Sequence, residues 1–524
     1  MTKNNKIIHF ALIGLIIVIA IVVRIYNIDS APSGIYPDEA NNGTNAYEAQ
    51  LKNNYQWFYP DNNGREGLYL NFMALCFKFF DVSFFTLKLP SITMGVLTVI
   101  GVYFLSRELF ISKPRIALFA SYLTAVSFWA IIFSRIAFRA IIMLPILLFS
   151  FYFLFRGIRT NKWHHFAIAG FIFGLGFHTY IAFRIAPALL MVLLILFLIQ
   201  NGKNFLKKIW KNLIIFILFA GISITPMIYT FHTHPEFLNS RTSDVSIFSQ
   251  KDTPIMKTLT ETISLSLMKY NFYGDQNWRH GYPPYPTLEF FAGILFISGF
   301  FISITSFFTY LYRTFSSNNQ NKKFIIHGFL IAWFFAFLSP EFMTIESLPH
   351  NLRSIGTLPV VYIFTAFCTN FIIERSEMRS HALYITTSAI TLTLLLWIGF
   401  FNIVKYHIYW STEPAQAAAF NKDLTDIGKQ IAHFPKDTKK YVIAGPMERL
   451  PIQLLNTQTQ NVHYLYENEL KKIQTNHDFY VLIPYHNDTI IDYLASKTKI
   501  AVEEIKTDLD TSFFVITPIL QSTF

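Results

Sequence analysis

The chain has 524 residues, of which 52% are hydrophobic, 17% aromatic and only 14% charged. Soluble globular chains carry about 25% charged residues, so a water-soluble protein of this size is excluded. The net charge of +11 lies mainly in short connectors between apolar runs; no basic stripe with interleaved aromatics marks a nucleic-acid partner.

The N-terminus reads Lys3-Asn4-Asn5-Lys6 and then an apolar run from Ile7 to Val23. That run is long and has no small-residue cleavage site before Arg24, so it reads as a retained first span rather than a signal peptide. A span needs about 20 largely apolar residues, and on that rule the chain offers about eleven. They are 7–26, 84–106, 115–133, 138–155, 164–180, 181–200, 211–231, 287–311, 324–341, 354–373 and 382–404. The expected class is an α-helical polytopic membrane protein.

Placing the N-terminus inside makes cytoplasmic the connectors that hold Lys3 and Lys6; Arg107, Lys113 and Arg115; Arg156, Arg159 and Lys162; Lys203, Lys207, Lys208 and Lys211; Arg313, Lys322 and Lys323; Arg375 and Arg379. Against these stand only Glu108, Glu374 and Glu377. The bias follows the positive-inside rule, and an odd number of spans puts the C-terminus outside.

Three non-membrane pieces then face outward. The first is the extracytoplasmic loop 27–83, whose segment 67–80 is apolar, too short to span, and suited to the interface. The second is the Pro- and aromatic-rich loop 232–286. The third is the tail, where periodicity changes: 415–431 reads as helix, while 441–445, 479–484 and 512–518 read as strands with charged helical stretches between. The chain therefore divides into a membrane domain, 1–410, and a small extracytoplasmic α/β domain, 411–524.

Polar residues at membrane depth are costly and mark function. The outer side collects Asp38 and Glu39 after Pro37, Arg65 and Glu66, then Arg135 and Arg139 in SRIAFR. It also holds His178, Tyr180 and Arg184 in FHTYIAFR, Asp275, Asn277, Arg279 and His280 in GDQNWRH, and Glu346, His350 and Arg353 in IESLPHNLR. Each has a plainer reading: Arg as a headgroup anchor, His as an interhelical hydrogen bonder, Asp-Glu as solvated loop. His232 and His234 have metal-like spacing without a third ligand. Cys76 and Cys368 lie in apolar surroundings and offer neither a disulfide framework nor metal spacing.

Jointly, a carboxylate among cations at an outer interface suits sugar transfer from a lipid phosphate. The tail stays in lipid, Arg residues hold the departing phosphate, and a carboxylate deprotonates the acceptor hydroxyl. No Gly-rich phosphate loop follows a strand, so a nucleotide-sugar donor fits less well. A transporter or lipid flippase of the envelope-glycan pathway is the alternative; it would place ionisable groups near the midplane in repeated halves. A non-catalytic polymer-assembly partner is a third reading.

The run GIYPDEANNGTNAYEA resembles the first-loop Asp-Glu motif of the GT-C superfamily of membrane glycosyltransferases. It is similar to the bacterial branch near protein O-mannosyltransferases and lipid A aminoarabinose transferases. NGREGLYLNFMALCFKFFD with LKLPSITMGVLTVIGVYFLSREL, GDQNWRHGYPPYP and IESLPHNLRSIGTLP resemble further segments, so that the likeness covers roughly residues 5–410. The usual Pro-Pro after the first loop is Glu66-Gly67 here, and Lys88 stands where Arg is common. The resemblance implies a GT-C fold, a polyprenyl-phosphate sugar donor, a hexosyl or pentosyl group, and an inverting displacement onto an extracytoplasmic lipid, glycan or protein acceptor in lipopolysaccharide or glycoprotein biosynthesis at the cell membrane. It makes Asp38 the base with Glu39 assisting. Arg135, Arg139, Arg184, Arg279 and Arg353 are then the candidates for the donor phosphate, and Arg65, Glu66, His178, Tyr180, His280 and His350 those for substrate. Some relatives use a divalent cation, but no metal ligand is carried over.

Overall fold

The structure, a computed structural model, describes residues 3–238, 247, 254–316 and 323–519. Part of the loop 232–286 expected to face outward, and Lys322 of the counted basic residues, lie outside them.

The helices run in chain order. First come α1 (Lys3–Ile25), α2 (Pro37–Leu51), α3 (Gly67–Phe80), α4 (Phe84–Leu109), α5 (Pro114–Val126), α6 (Phe128–Ser134), α7 (Met143–Thr160), α8 (Trp163–Leu175) and α9 (Ala186–Asn201). There follow α10 (Lys203–Thr233), α11 (Ile255–Met268), α12 (Phe290–Ser316), α13 (Lys323–Phe342), α14 (Leu358–Glu377) and α15 (His381–Val404), then the short α16 (Pro414–Ala419), α17 (Lys422–Ile431), α18 (Arg449–Leu455) and α19 (Asp488–Ala495). Among the described residues nine helices are long and apolar enough to cross a membrane, or ten if α5 and α6 form one span bent by 58°. The remaining expected span, 164–180, is the shorter α8 followed by a 3-10 turn at Gly176–His178. The expected short apolar segment 67–80 is α3.

The α5–α6 bend has a local cause. Ser127 is extended, and its hydroxyl accepts from the Ala130 N–H at 3.1 Å, starting a new helix in place of continuing the old one. Asn161 adopts a left-handed conformation that ends α7, its N–H bonding to the Gly157 carbonyl at 2.7 Å.

The chain forms two compact units. The first comprises 1–26, 56–69 and 90–406. Its α14 is apolar all round and buried along nearly its whole length, packed by α5, α12 and α15. Elsewhere the helices keep large apolar side chains exposed, such as Phe10 and Leu15 on α1, Ile217 and Leu218 on α10, and Leu392 and Phe400 on α15. Such surface belongs in lipid, and the chain is a multi-pass membrane protein. α8 crosses α10 closely: a Cβ on Gly170 would overlap the Phe216 carbonyl and one on Gly174 the Ala220 carbonyl.

The second unit comprises 27–55, 70–89 and 407–524. Its five-stranded sheet has the order β4-β3-β5-β7-β6, made by β3 (Lys439–Ile443), β4 (Val462–Leu465), β5 (Phe479–Ile483), β6 (Ile500–Lys506) and β7 (Ser512–Pro518). β3 pairs in parallel with β4 and β5, and β7 runs antiparallel to β5 and β6. The expected small C-terminal α/β domain is present, with β4 and β6 added to the three strands read from sequence. Within this unit, residues 27–55 are stitched to the C-terminal region. Ser33 Oγ donates to Gln416 Oε1 at 3.1 Å, the Ile35 N–H donates to Thr425 Oγ1 at 2.9 Å, and α2 packs on α18. A Cβ on Gly34 would overlap the Phe420 carbonyl, so only glycine fits there.

Candidate active site

Asp38 and Glu39 lie in the first turn of α2, in the second unit. Pro37 supplies a pre-set helical φ at the helix start. Glu39 is fully buried, and its Oε2 accepts from the Tyr36 N–H at 3.1 Å, half of a capping box. Asp38, the other member of the tandem, is half-buried. Both acids also complement the positive end of the helix dipole. In the same unit Lys88 is fully buried, its ammonium 3.8 Å from the Phe84 ring centroid and 3.5 Å from the Pro32 carbonyl.

The other predicted residues belong to the first unit and form two groups. The first surrounds a two-stranded hairpin, β1 (Phe58–Tyr59) with β2 (Arg65–Glu66), in which Phe58 pairs with Glu66 and Tyr59 with Arg65. Arg139, placed at the start of the 3-10 turn before α7, donates from Nε to Glu66 Oε2 at 2.9 Å and lies over the Tyr180 ring at 5.6 Å. Arg65 is buried and donates to the Asp61 carbonyl at 3.3 Å. His178 bonds through Nε2 to the Ser223 carbonyl at 2.8 Å and packs against Trp57. Arg184 is exposed, with its guanidinium over the Phe231 ring at 5.7 Å. Phe231 in turn packs on Phe58. Among the described residues Arg184 has no carboxylate partner.

Arg135 is fully buried, and its Nη1 donates to the Val23, Arg24 and Tyr26 carbonyls at 3.2, 2.9 and 2.8 Å, while Nε donates to the Tyr406 hydroxyl at 3.1 Å. It therefore closes the C-terminal end of α1, where the last carbonyls lack helical partners.

The second group lies in the loops that precede α12 and α14. His280 stacks on Phe133 and faces His350, with ring centroids 4.6 Å apart. Asp275 Oδ2 stands 3.6 Å from His280 Nδ1. Burial, then the neighbouring His280, Arg353, Lys269 and Arg279, hold His350 well below the usual histidine range. Arg279 bonds to Asn277 Oδ1 at 3.1 Å, and Arg353 pairs with Glu346 at 2.8 Å. Asp275, His280 and His350 are the residues here that could hold a metal ion.

Sequence reasoning passed over the fully buried pair Lys269–Glu341, which also engages Ser354 and, through Glu341 Oε1, the His350 N–H at 2.9 Å. The available signal was a charge at the end of an apolar helix, in FLSPEF. A cavity of about 750 Å³ opens elsewhere, lined by Glu108, Lys113, Arg159, Lys323 and Glu374 from the connectors read as cytoplasmic. Four of its charges pair as Lys113–Glu374 and Arg159–Glu108, both at 2.5 Å.

Across its whole length the chain is similar to ArnT from Cupriavidus metallidurans in the apo state, with a TM-score of 0.56 and 11% identity over 98% of each chain. It is also similar to the Archaeoglobus fulgidus oligosaccharyltransferase in the apo form, with a TM-score of 0.52 and 13% identity over 96% of this chain and 70% of that one. The chain has the GT-C fold. At such identities it is this fold that is shared. The Cupriavidus ArnT structure bound to undecaprenyl phosphate is similar too, with a TM-score of 0.51 and 12% identity over 98% of each chain. The dolichyl-phosphate-mannose-protein mannosyltransferase family matches residues 68–229. That GT-C family match takes in Arg135, Arg139, His178, Tyr180 and Arg184, and begins after Asp38. No curated protein sequence matches the chain. The resemblance to GT-C membrane glycosyltransferases seen in the sequence is borne out by fold and family together.

Proposed function

We propose that the chain is a membrane glycosyltransferase that takes a sugar from a polyprenyl-phosphate donor and passes it to an acceptor hydroxyl on the extracytoplasmic side. The observation that carries this reading is the full-length likeness to a GT-C protein whose structure holds undecaprenyl phosphate. The mannosyltransferase family match over 68–229 supports it.

In the proposed reaction Asp38 takes the proton of the acceptor hydroxyl. The acceptor oxygen bonds to the anomeric carbon as the bond from that carbon to the phosphate oxygen breaks, with inversion. The polyprenyl phosphate leaves with the electron pair and gains negative charge, which cations stabilise. Of the five candidate arginines Arg184 is taken for that task, because it is exposed and, among the described residues, has no carboxylate partner. Arg139 and Arg353 already face Glu66 and Glu346, and Arg135 holds carbonyls of α1. Glu39 orients Asp38 by fixing the first turn of α2.

The test is incubation of the purified protein with a panel of polyprenyl-phosphate sugars and candidate acceptors. Release of polyprenyl phosphate that requires an acceptor supports the reading. Lipid movement across vesicles without any sugar transfer would support the flippase alternative instead.

A further inference from the structure

Asp275 and His280 come from the loop between α11 and α12, and His350 from the loop between α13 and α14. All three are buried, and their potential ligand atoms lie within 4.8 Å of one another. Buried polar atoms are almost always hydrogen-bonded, yet both ring nitrogens of His280 and Nδ1 of His350 have no hydrogen-bond partner among the described residues. The imidazoles instead turn towards each other and towards a carboxylate.

The surroundings hold the Asp275 carboxylate and the backbone at His280 and His350 in place. Asp275 Oδ1 accepts from the Asn277 N–H at 2.9 Å and Oδ2 from the Asn351 N–H at 2.7 Å. Asn351 Nδ2 donates to the His280 carbonyl at 3.1 Å, and Asn351 Oδ1 accepts from Thr287 at 2.9 Å. The His350 N–H is held by Glu341 at 2.9 Å. Outer contacts of this kind orient metal ligands.

We propose that Asp275, His280 and His350 bind a divalent transition-metal ion of the zinc type, clipping the two loops together. Two nitrogens and one carboxylate oxygen suit zinc and its first-row neighbours, whereas Mg²⁺ and Ca²⁺ require oxygen donors. Zinc binds such ligands at about 2.0–2.1 Å, which sets donor atoms about 3.4 Å apart in a tetrahedron. Three protein ligands leave the fourth position for water or a ligand oxygen. The inference does not depend on the proposed transferase activity.

The test uses the full-length protein in detergent with any purification tag removed. It is stripped with a chelator, loaded with Zn²⁺ or Co²⁺, gel-filtered and assayed by mass spectrometry of the metal. The wild type should retain one equivalent of Zn²⁺ and show the visible absorption of tetrahedral Co²⁺. Asp275→Asn and His350→Ala should each weaken Zn²⁺ binding by more than about 100-fold, since loss of an outer contact alone costs about 10–100-fold. The exposed His234→Ala variant should bind as the wild type does. Zinc-edge X-ray absorption on the wild type should show two imidazoles, a result that needs no variant to fold. A wild type that retains no metal, equal retention in the ligand variants, or a zinc site without histidine overturns the assignment.

Discussion

Arg139 Nε stands 2.9 Å from Glu66 Oε2, joining the hairpin of the first loop to the start of α7 with both side chains nearly closed off from solvent. Breaking a buried pair by removing one partner costs about 3–5 kcal/mol, because the other charge is left uncompensated. Arg139→Met should therefore destabilise the protein by about that amount. Adding Glu66→Gln should restore at least half of the loss, read as thermal unfolding in detergent. Strictly additive losses would mean that the two charges are not coupled.

Asp38→Asn keeps the shape of the side chain and removes the proposed base. Transfer from the donor should fall by at least about 100-fold, the low end of what a general base contributes, while membrane insertion and unfolding temperature stay unchanged. Full activity in this variant would remove Asp38 from the mechanism.

Arg184 is exposed, with its guanidinium over the Phe231 ring and no carboxylate partner among the described residues. If it grips the donor phosphate, Arg184→Ala should lose about 1.5–3 kcal/mol, the worth of a charged hydrogen bond, or about 10–150-fold in kcat/KM for the donor. Arg184→Lys should recover part of that, since the charge returns without the fork. Kinetics with varied donor and saturating acceptor separate this from an acceptor effect.

Gly170 and Gly174 form a small-xxx-small face that lets α8 approach the backbone of α10. Gly170→Leu should destabilise by about 1–3 kcal/mol through overpacking. Gly221→Leu on α10 should not, because nothing lies within 4 Å of a Cβ there. Thermal unfolding of the two variants in the same detergent makes the comparison.

Some elements were legible residue by residue. The run 382–404 became α15 and 512–518 became β7 because each periodicity has one solution. β6 was not, because IAVEEIK carries Glu503, Glu504 and Lys506 on an edge strand and reads as a charged helix. Charges of that kind protect sheet edges from pairing further. The region 415–431 became two helices, since Asn421 takes a left-handed conformation between them. The site was legible as residue types and hardly at all as groups. Arg135 reads in the sequence like Arg184, yet one is buried against the carbonyls of Val23, Arg24 and Tyr26 and the other is exposed.

The sequence by itself determined that this chain lies in a membrane and where its helices run. In lipid every backbone group must find its partner within the segment, so a long apolar run has no choice but to be a helix. Which distant side chains meet was decided only by tertiary packing. Glu66 reaches Arg139 across 73 residues, and the Asn351 N–H reaches Asp275 across 76. Neither contact has a period or a spacing to announce it. The same holds for Asp275, His280 and His350, whose burial leaves their donor atoms facing one another.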